Sequence, residues 1–189
     1  MRISTTALAA MLLVSATAAQ AGPNLLTNGS FETGDFSGWS QFGDTSYTGV
    51  AAGNFIVAPS DGNFQAVFGS VNYFGGITQS VGTAGNSYVV SFDLANRDGY
   101  GAFVNFGGVS LLSNPGNQGY VHYSFNVTAL DNTGLTFGFF NPPSYYNLDN
   151  VSVQSGAVPE PASWALMLGG FGVVGGALRS RRKQAVSFG

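Results

Sequence analysis

Few side chains of this sequence could carry out covalent chemistry. His122 is the only histidine, and it falls on the polar face of a predicted strand, where a solvated side chain is expected. A Ser-His-Asp triad would also need a serine in a recognisable position, and none is visible. Asp93 and Asp98 are close in sequence, but neither lies in a recognisable glycosidase motif and the chain is short for such an enzyme. Because cysteine is also absent, the sequence predicts a protein that is not an enzyme.

The charged residues are unevenly distributed along the chain. Five of the six basic residues lie near its two ends, at Arg2 and between Arg179 and Lys183. Between Gly22 and Val158, Arg97 alone stands against eight acidic residues, which gives a net charge of −7. Such a surface repels phosphate backbones, so nucleic acid is excluded as a partner, and it would tolerate a divalent cation.

The elements that must position any site are short strands. Apolar and polar residues alternate from Tyr88 to Ala95 and from Tyr120 to Val127, and Leu148 to Gln154 forms a last strand. The segment from Asn24 to Trp39 has short apolar pieces divided by tight turns, as in strands, with Trp39 in the core. Turn clusters arrive roughly every ten residues, so we expect an all-β, two-sheet antiparallel jelly-roll sandwich. Further strands are predicted at 46–50, 55–57, 64–69, 76–81 and 135–139.

Both ends of the chain have features of targeting segments. Arg2, an apolar run and then Ala19-Gln20-Ala21 predict a signal peptide over residues 1–21, cleaved before Gly22. Residues 22–157 then form one domain. The 17 uncharged residues 162–178 predict a transmembrane helix of about 25 Å, with the basic residues after it and the tail 184–189 in the cytoplasm. A buried core helix is the alternative for this run.

The C-terminal residues resemble a known sorting signal. In the segment 158–183, the triplet Pro159-Glu160-Pro161 is followed by Trp164-Ala165, a Gly-rich apolar run and a basic cluster. This pattern is similar to a PEP-CTERM sorting signal, in the variant with Trp and Ala after the triplet. The same pattern is also called an ice-binding protein C-terminal domain, a name that says nothing about ice. The resemblance implies processing by an exosortase of a Gram-negative bacterium and delivery to the cell surface or extracellular matrix. The residues that carry it are Pro159, Glu160, Pro161, Trp164, Arg179, Arg181, Arg182 and Lys183.

A second resemblance concerns the two ends of the domain. The opening from Asn24 to Glu32 with Gly38-Trp39, and the closing stretch from Leu148 to Val153, resemble those of galactose-binding-like, carbohydrate-binding jelly-roll modules. In that family a structural Ca²⁺ often joins the two ends, and the matching residues here are Glu32 and Asp149. The alternative is that both carboxylates cap turns and accept backbone N–H groups.

The same resemblance implies sugar recognition by aromatic and polar side chains. Aromatic rings stack on the apolar face of a sugar, while amide and charged groups bond its hydroxyls. The segment Asn96, Arg97, Asp98 and Tyr100 is the best candidate, since it holds the only basic residue of the domain. Each residue could instead pack in the sandwich or stabilise a turn, and Arg97 could pair with Asp98 or Asp93. The other candidate aromatics are Tyr73, Phe74, Tyr145 and Tyr146.

Two functions from different classes remain at this point. The first is an exported, non-catalytic protein whose sandwich binds extracellular polysaccharide. The alternative is a structural or adhesive protein that acts by self-association or protein contacts and binds no sugar. Signal peptidase and an exosortase are the expected processing partners, and the C-terminal helix is the expected membrane contact.

Overall fold

Ten antiparallel strands in two sheets form within the residues that this computed structural model describes, which are 22–98, 100–156, 167, 169–176 and 179. One sheet has the order β1-β4-β9-β6-β7 and the other β2-β3-β10-β5-β8. The all-β two-sheet antiparallel sandwich is therefore confirmed. The strands are β1 Ser40–Gly43, β2 Thr48–Ala52, β3 Phe64–Phe68, β4 Gly75–Gln79, β5 Ser87–Asn96, β6 Gly101–Phe106, β7 Val109–Ser113, β8 Gln118–Thr128, β9 Leu135–Phe140 and β10 Tyr146–Ser155.

The core lies between the two sheets and follows the two-residue period. In β5, alternate side chains from Tyr88 to Leu94 are all buried, as the sequence predicted. They meet aromatic rings of the opposite sheet; Phe92, for example, packs edge-on against Phe137 with ring centroids 5.1 Å apart. Successive side chains of a strand point to opposite faces of its sheet. The residues between the core-facing ones therefore lie on the outer face, and the candidate site lies on the outer face of the second sheet.

The first described segment differs from the prediction. No strand forms between Asn24 and Trp39, although Trp39 is buried as expected. The apolar pieces are too short for a ladder, and the positive φ of Asn28 and Phe31 bends the chain. Instead Asn24 accepts a hydrogen bond from the Val153 N–H through Oδ1, at 3.0 Å. The segment is therefore bound to β10 by a few isolated hydrogen bonds instead of a ladder, and its strand prediction was wrong.

The middle of the chain holds the other differences. Residues 55–57 form only an isolated bridge between Phe55 and Val57 within a loop. The hairpin of β6 and β7 was not predicted, and its glycine turn at Gly107 and Gly108 takes positive φ values of 52° and 77°. The predicted strands at 46–50, 64–69, 76–81 and 135–139 correspond to β2, β3, β4 and β9 within a few residues.

Candidate functional site

A row of buried polar side chains crosses the outer face of the second sheet. Gln65 of β3, Asn147 and Asp149 of β10 and Asp93 of β5 are each at most 8% exposed. Asp149 is the register partner of Asp93, which in turn lies opposite His122 of β8. Buried polar groups need hydrogen-bond partners. Here the partners come from the loop that joins β2 to β3, which we call the 53–63 loop.

Two amides hold the first half of the 53–63 loop. Gln65 donates through Nε2 to the carbonyls of Gly53, at 3.1 Å, and Val57, at 2.7 Å. Its Oε1 accepts from Asn147 Nδ2 at 2.8 Å and from the Tyr120 hydroxyl at 2.7 Å. Asn147 Nδ2 also donates to the Phe55 carbonyl at 3.0 Å. The three loop carbonyls are thus satisfied by side chains of the sheet beneath them.

Two carboxylates hold the second half of the loop. Asp149 Oδ2 accepts from the N–H groups of Ser60, at 2.8 Å, and Asp61, at 2.9 Å. Asp93 Oδ2 accepts from the Ser60 hydroxyl at 2.8 Å, and Asp93 Oδ1 lies 2.6 Å from His122 Nδ1. Burial raises the pKa of Asp149, since desolvation disfavours its charge. The same burial, with the charges of Asp149 and Asp93, raises the pKa of Tyr120.

The network holds a strained turn. Ile56 has a φ of 65°, which is unusual for a β-branched residue. The Val57 N–H donates to the Phe55 carbonyl at 2.7 Å across it, in the pattern of a γ-turn with a positive central φ. Such a conformation persists only where surrounding contacts impose it, and strain of this kind concentrates at binding sites.

The strained turn lines an open pocket at the end of β5. The pocket has a volume of about 200 Å³ and lies between Ile56 and Val57 on the loop, Arg97 after β5, and Gln118 and Gly119 at the start of β8. Buried Asn147 also lines it, and the Oδ1 of that side chain has no hydrogen-bond partner in the described part of the chain. The volume is below the roughly 300–1,000 Å³ of sites for drug-sized ligands. The pocket suits a single small polar unit.

The structure brings only part of the predicted sugar site to this pocket. Asn96 and Arg97 line it. Asn96 is buried and shapes the wall, because its amide donates to the Pro115 carbonyl and accepts from the Gln118 N–H. Arg97 is exposed, and within the described residues the one salt bridge is that of His122 with Asp93, so Arg97 pairs with neither Asp93 nor Asp98.

The predicted aromatic residues are divided between packing and exposure. Tyr146 is fully buried in the core, so that ring has a structural role, while Phe74 packs against Phe103 and Phe140 and is still 42% exposed. Tyr145 meets Phe55 edge-on, with centroids 5.0 Å apart, beside the strained turn. Two further tyrosines lie in loops and are exposed, Tyr73 by 61% and Tyr100 by 59%. Asp98 is also exposed, and none of these three lines the pocket.

The two residues expected to bind calcium face opposite ends of one segment. Glu32 Oε1 accepts from the N–H groups of Asn63 and Phe64, both at 2.8 Å, and these bonds lower the pKa of Glu32. Asp149 binds the N–H groups of Ser60 and Asp61. A carboxylate whose lone pairs accept N–H groups is a poor cation ligand, since Ca²⁺ requires six to eight oxygen donors. Among the described residues no three acidic or histidine side chains form a metal-binding group. The backbone N–H donors at Glu32 and Asp149 therefore fit a role in anchoring the loop better than a calcium site. The calcium site stays a prediction.

The targeting segments lie largely outside the described residues. The predicted signal peptide, 1–21, and the tail, 184–189, are not among them. Of the predicted transmembrane span, residues 167 and 169–176 are helical, with exposed apolar side chains such as Phe171 and Val173. Within the described residues, no helix combines the length and apolar character needed to cross a membrane.

Solved structures of several proteins share this sandwich. TmCBM61, solved in complex with beta-1,4-galactotriose, is similar with a TM-score of 0.56 at 19% identity, covering 71% of this chain and 100% of that chain. The tailspike protein 4 enzymatically active domain of bacteriophage CBA120 has a TM-score of 0.54 at 17% identity, and the match covers 70% of this chain and 21% of that chain. The K3 cleaved adhesin domain of Lys-gingipain from Porphyromonas gingivalis W83 has a TM-score of 0.50 at 13% identity, and the match covers 69% of this chain and 98% of that chain. At these identities the likeness shows the fold alone, a β-sandwich that this chain shares with the carbohydrate-binding module TmCBM61 and with the other two domains.

The C-terminal segment gives a more specific assignment. Residues 157–183 match the family model of the PEP-CTERM protein-sorting motif. The chain therefore carries this motif, as the triplet Pro159-Glu160-Pro161 and the basic residues after the apolar run indicated. The motif implies export and exosortase-dependent sorting in a bacterium. No curated protein matches the sequence.

Proposed function

We propose that this protein is a PEP-CTERM-sorted extracellular or surface protein whose sandwich binds polysaccharide in the Ile56–Arg97 pocket without catalysing a reaction. The observation that carries this proposal is the strained Ile56 turn, which a buried polar network holds at the pocket wall opposite Gln118 and Gly119. A fold gains nothing for stability from a positive φ at a β-branched residue. A binding surface that needs this wall explains the cost.

The chemistry of the lining suits a sugar. Ile56 and Val57 offer apolar atoms to the C–H face of a pyranose ring, and Arg97 offers N–H donors to its hydroxyl or ring oxygens. Asn147 also lines the pocket, and its buried Oδ1 has no hydrogen-bond donor among the described residues. The pocket volume of about 200 Å³ favours one sugar unit at a chain end or branch.

The acidic residues beside the pocket support binding rather than hydrolysis. A glycosidase needs one carboxyl group free to protonate the leaving group and a second to act as base or nucleophile. Asp149 is fully buried and accepts N–H groups, while Asp93 is engaged by Ser60, His122 and Asn150. Both side chains therefore serve the loop.

The sorting motif supplies the location. Signal peptidase would release the chain at Gly22, and the helix over 162–178 would hold it in the inner membrane with the basic residues in the cytoplasm and the sandwich outside. An exosortase would then remove the segment near Pro159. The protein would reach the cell surface or matrix, where polysaccharide is abundant.

A retention experiment tests the proposal. The purified protein is applied to a panel of immobilised neutral and acidic polysaccharides, beside Arg97→Ala and, as a matched control, Gln41→Ala, an exposed polar side chain on the other sheet. We expect at least one polysaccharide to retain the wild type and Gln41→Ala, and to retain Arg97→Ala at least tenfold less. Failure of every polysaccharide to retain the wild type would contradict the proposal.

A further inference from the structure

The outer edge of β8 is the longest free strand edge within the described residues. β8 spans 11 residues, Gln118–Thr128, and its only partner strand is β5. The other three edge strands, β1, β2 and β7, span four or five residues each. An edge strand presents a row of N–H and C=O groups that can pair with another strand.

β8 has a β-bulge near its start, opposite the Leu94–Asn96 stretch of β5, and beyond that bulge it has few of the features that prevent such pairing. It contains no proline and no lysine, arginine, aspartate or glutamate. Its one histidine, His122, already contacts Asp93 on the neighbouring strand β5. Natural edges are normally protected by charge, proline, bulges or short length, and past its bulge this edge has none of these.

Apolar side chains accompany the free backbone edge. Val121 is 38% exposed, and Tyr123 and Phe125 are only partly buried, although all three lie on the core-facing side of the strand. Tyr123 and Phe125 stack on each other with centroids 6.3 Å apart at the margin of the core. A strand added beside β8 would cover these margins while it satisfies the backbone groups.

We propose that two copies of this chain associate by antiparallel pairing of β8 with β8. In a two-fold register centred on Tyr123, residues 121–125, which lie past the bulge, pair with the same residues of the second copy. Val121 then lies opposite Phe125 and His122 opposite Ser124 of the second copy, so core-facing residues meet core-facing residues. Although each domain carries a net charge of −7, no acidic residue lies on either strand, and the approach along β8 places no two like charges opposite each other.

The proposed dimer has a consequence for ligand binding, although it does not depend on any ligand. The two second sheets become one ten-stranded sheet, and both Ile56–Arg97 pockets open on its same outer face. Because Gly119 lines the pocket and lies near the start of β8, antiparallel pairing puts the two pockets near opposite ends of the paired strands. Two sites on one face would give avidity for a polymer that spans both.

Sedimentation of the purified full chain over a hundredfold concentration range in a mild detergent tests the pairing. We expect twice the monomer mass for the wild type, and the monomer mass for the double variant Ser124→Lys/Asn126→Lys. Both side chains are exposed and make no side-chain hydrogen bond within the described residues, so the melting temperature should stay within a few degrees. The matched control is Gln154→Lys, which adds charge to the central strand β10 of the same sheet and should leave the dimer intact.

Two results would overturn the proposal. One is a monomeric wild type across the whole range. The other is a dimer that survives Ser124→Lys/Asn126→Lys, which would show that the copies meet elsewhere, for example through the apolar C-terminal segment. Polysaccharide retention is measured separately on the same samples, so loss of the dimer and loss of sugar binding are distinguished.

Discussion

Asp93 and Asp149 lie opposite each other on the adjacent strands β5 and β10, and the hydroxyl of Ser60 is within hydrogen-bond distance of both carboxylates. The Ser60 oxygen lies 2.8 Å from Asp93 Oδ2 and 3.3 Å from Asp149 Oδ2. Two buried acids side by side would repel. Here the backbone N–H groups of Ser60, Asp61 and Asn150 donate to Asp149, while the Ser60 hydroxyl and Asn150 Nδ2 donate to Asp93. The pair therefore joins the 53–63 loop to the sheet and positions the pocket wall.

Removal of the Asp149 carboxylate should destabilise the fold through this loop. In Asp149→Ala the partly buried bonds from the Ser60 and Asp61 N–H groups to this carboxylate are lost. Because hydrogen bonds to a charged group are strong, we expect a loss of about 2–3 kcal/mol in the free energy of unfolding. Denaturant unfolding measures the change. The control is Asp61→Ala, which removes the same charge from an exposed side chain without a hydrogen bond in the described structure. Equal stability of the two variants would show that Asp149 does not anchor the loop.

Stability should fall in acid partly through Asp44. This buried carboxylate accepts N–H groups of Ser46, Val71 and Asn72, and these bonds hold the pKa of Asp44 well below its ordinary value. A lowered folded-state pKa stabilises the protein above the unfolded-state value of about 3.9, and this contribution is lost as the pH falls further. Asp44→Asn should therefore melt below the wild type at pH 7, with a gap that narrows below about pH 4. A gap that is constant with pH would contradict this role.

Calcium should have little effect if the N–H donors at Asp149 and Glu32 are as the structure has them. We expect melts in EDTA and in millimolar calcium to superimpose. A bound ion at a hundredfold excess over Kd would add about 2.7 kcal/mol and raise the melting temperature by several degrees. Such a shift, if Asp149→Ala abolished it, would establish the calcium site predicted from the two ends of the domain.

The sorting motif makes a prediction about processing. In a host with the matching exosortase, Pro159→Ala/Pro161→Ala should leave the chain membrane-bound with its C-terminal segment intact, whereas the wild type loses that segment. Intact mass of the exported protein and of the membrane fraction measures both termini. Pro115→Ala, a proline in a loop of the sandwich, is the control for general effects of the substitution. Unchanged cleavage in the double variant would contradict exosortase recognition of the triplet.

Much of the fold could be predicted from side-chain alternation. The alternation from Tyr88 to Leu94, where every second residue is apolar, predicted a half-buried strand. The structure has that strand as β5. The same rule failed for the segment from Asn24 to Trp39. That segment is held by isolated hydrogen bonds, such as that between Asn24 and Val153, rather than by a strand ladder. Local sequence cannot distinguish these two ways of satisfying the backbone.

The site could be predicted only in part. Arg97 stood out because it is the only basic residue of the domain, and Asn96 was its neighbour. Gln65 and Asn147 were missed, although a lone polar residue within the apolar run of β3 was a signal that Gln65 has a buried partner. Its partners at Gly53 and Tyr120 are 12 and 55 residues away, and no spacing rule connects them. The strain at Ile56 also depends on this network and cannot be read from the turn sequence.

Amide chemical-shift mapping of the purified protein tests the central claim most directly. The titrant is an oligosaccharide of the polysaccharide that the retention panel selects. The account predicts the largest shifts at Ile56, Val57, Arg97, Gln118 and Gly119, with small shifts at Tyr73 and in β1 and β4 of the other sheet. It also predicts that Arg97→Ala raises the Kd from the titration at least tenfold. The chemical shifts of the β10 amides should be unchanged in this variant in the absence of sugar. Shifts confined to the exposed loops around Tyr73 and Tyr100, or no shifts at saturating sugar, would contradict the assignment of this pocket.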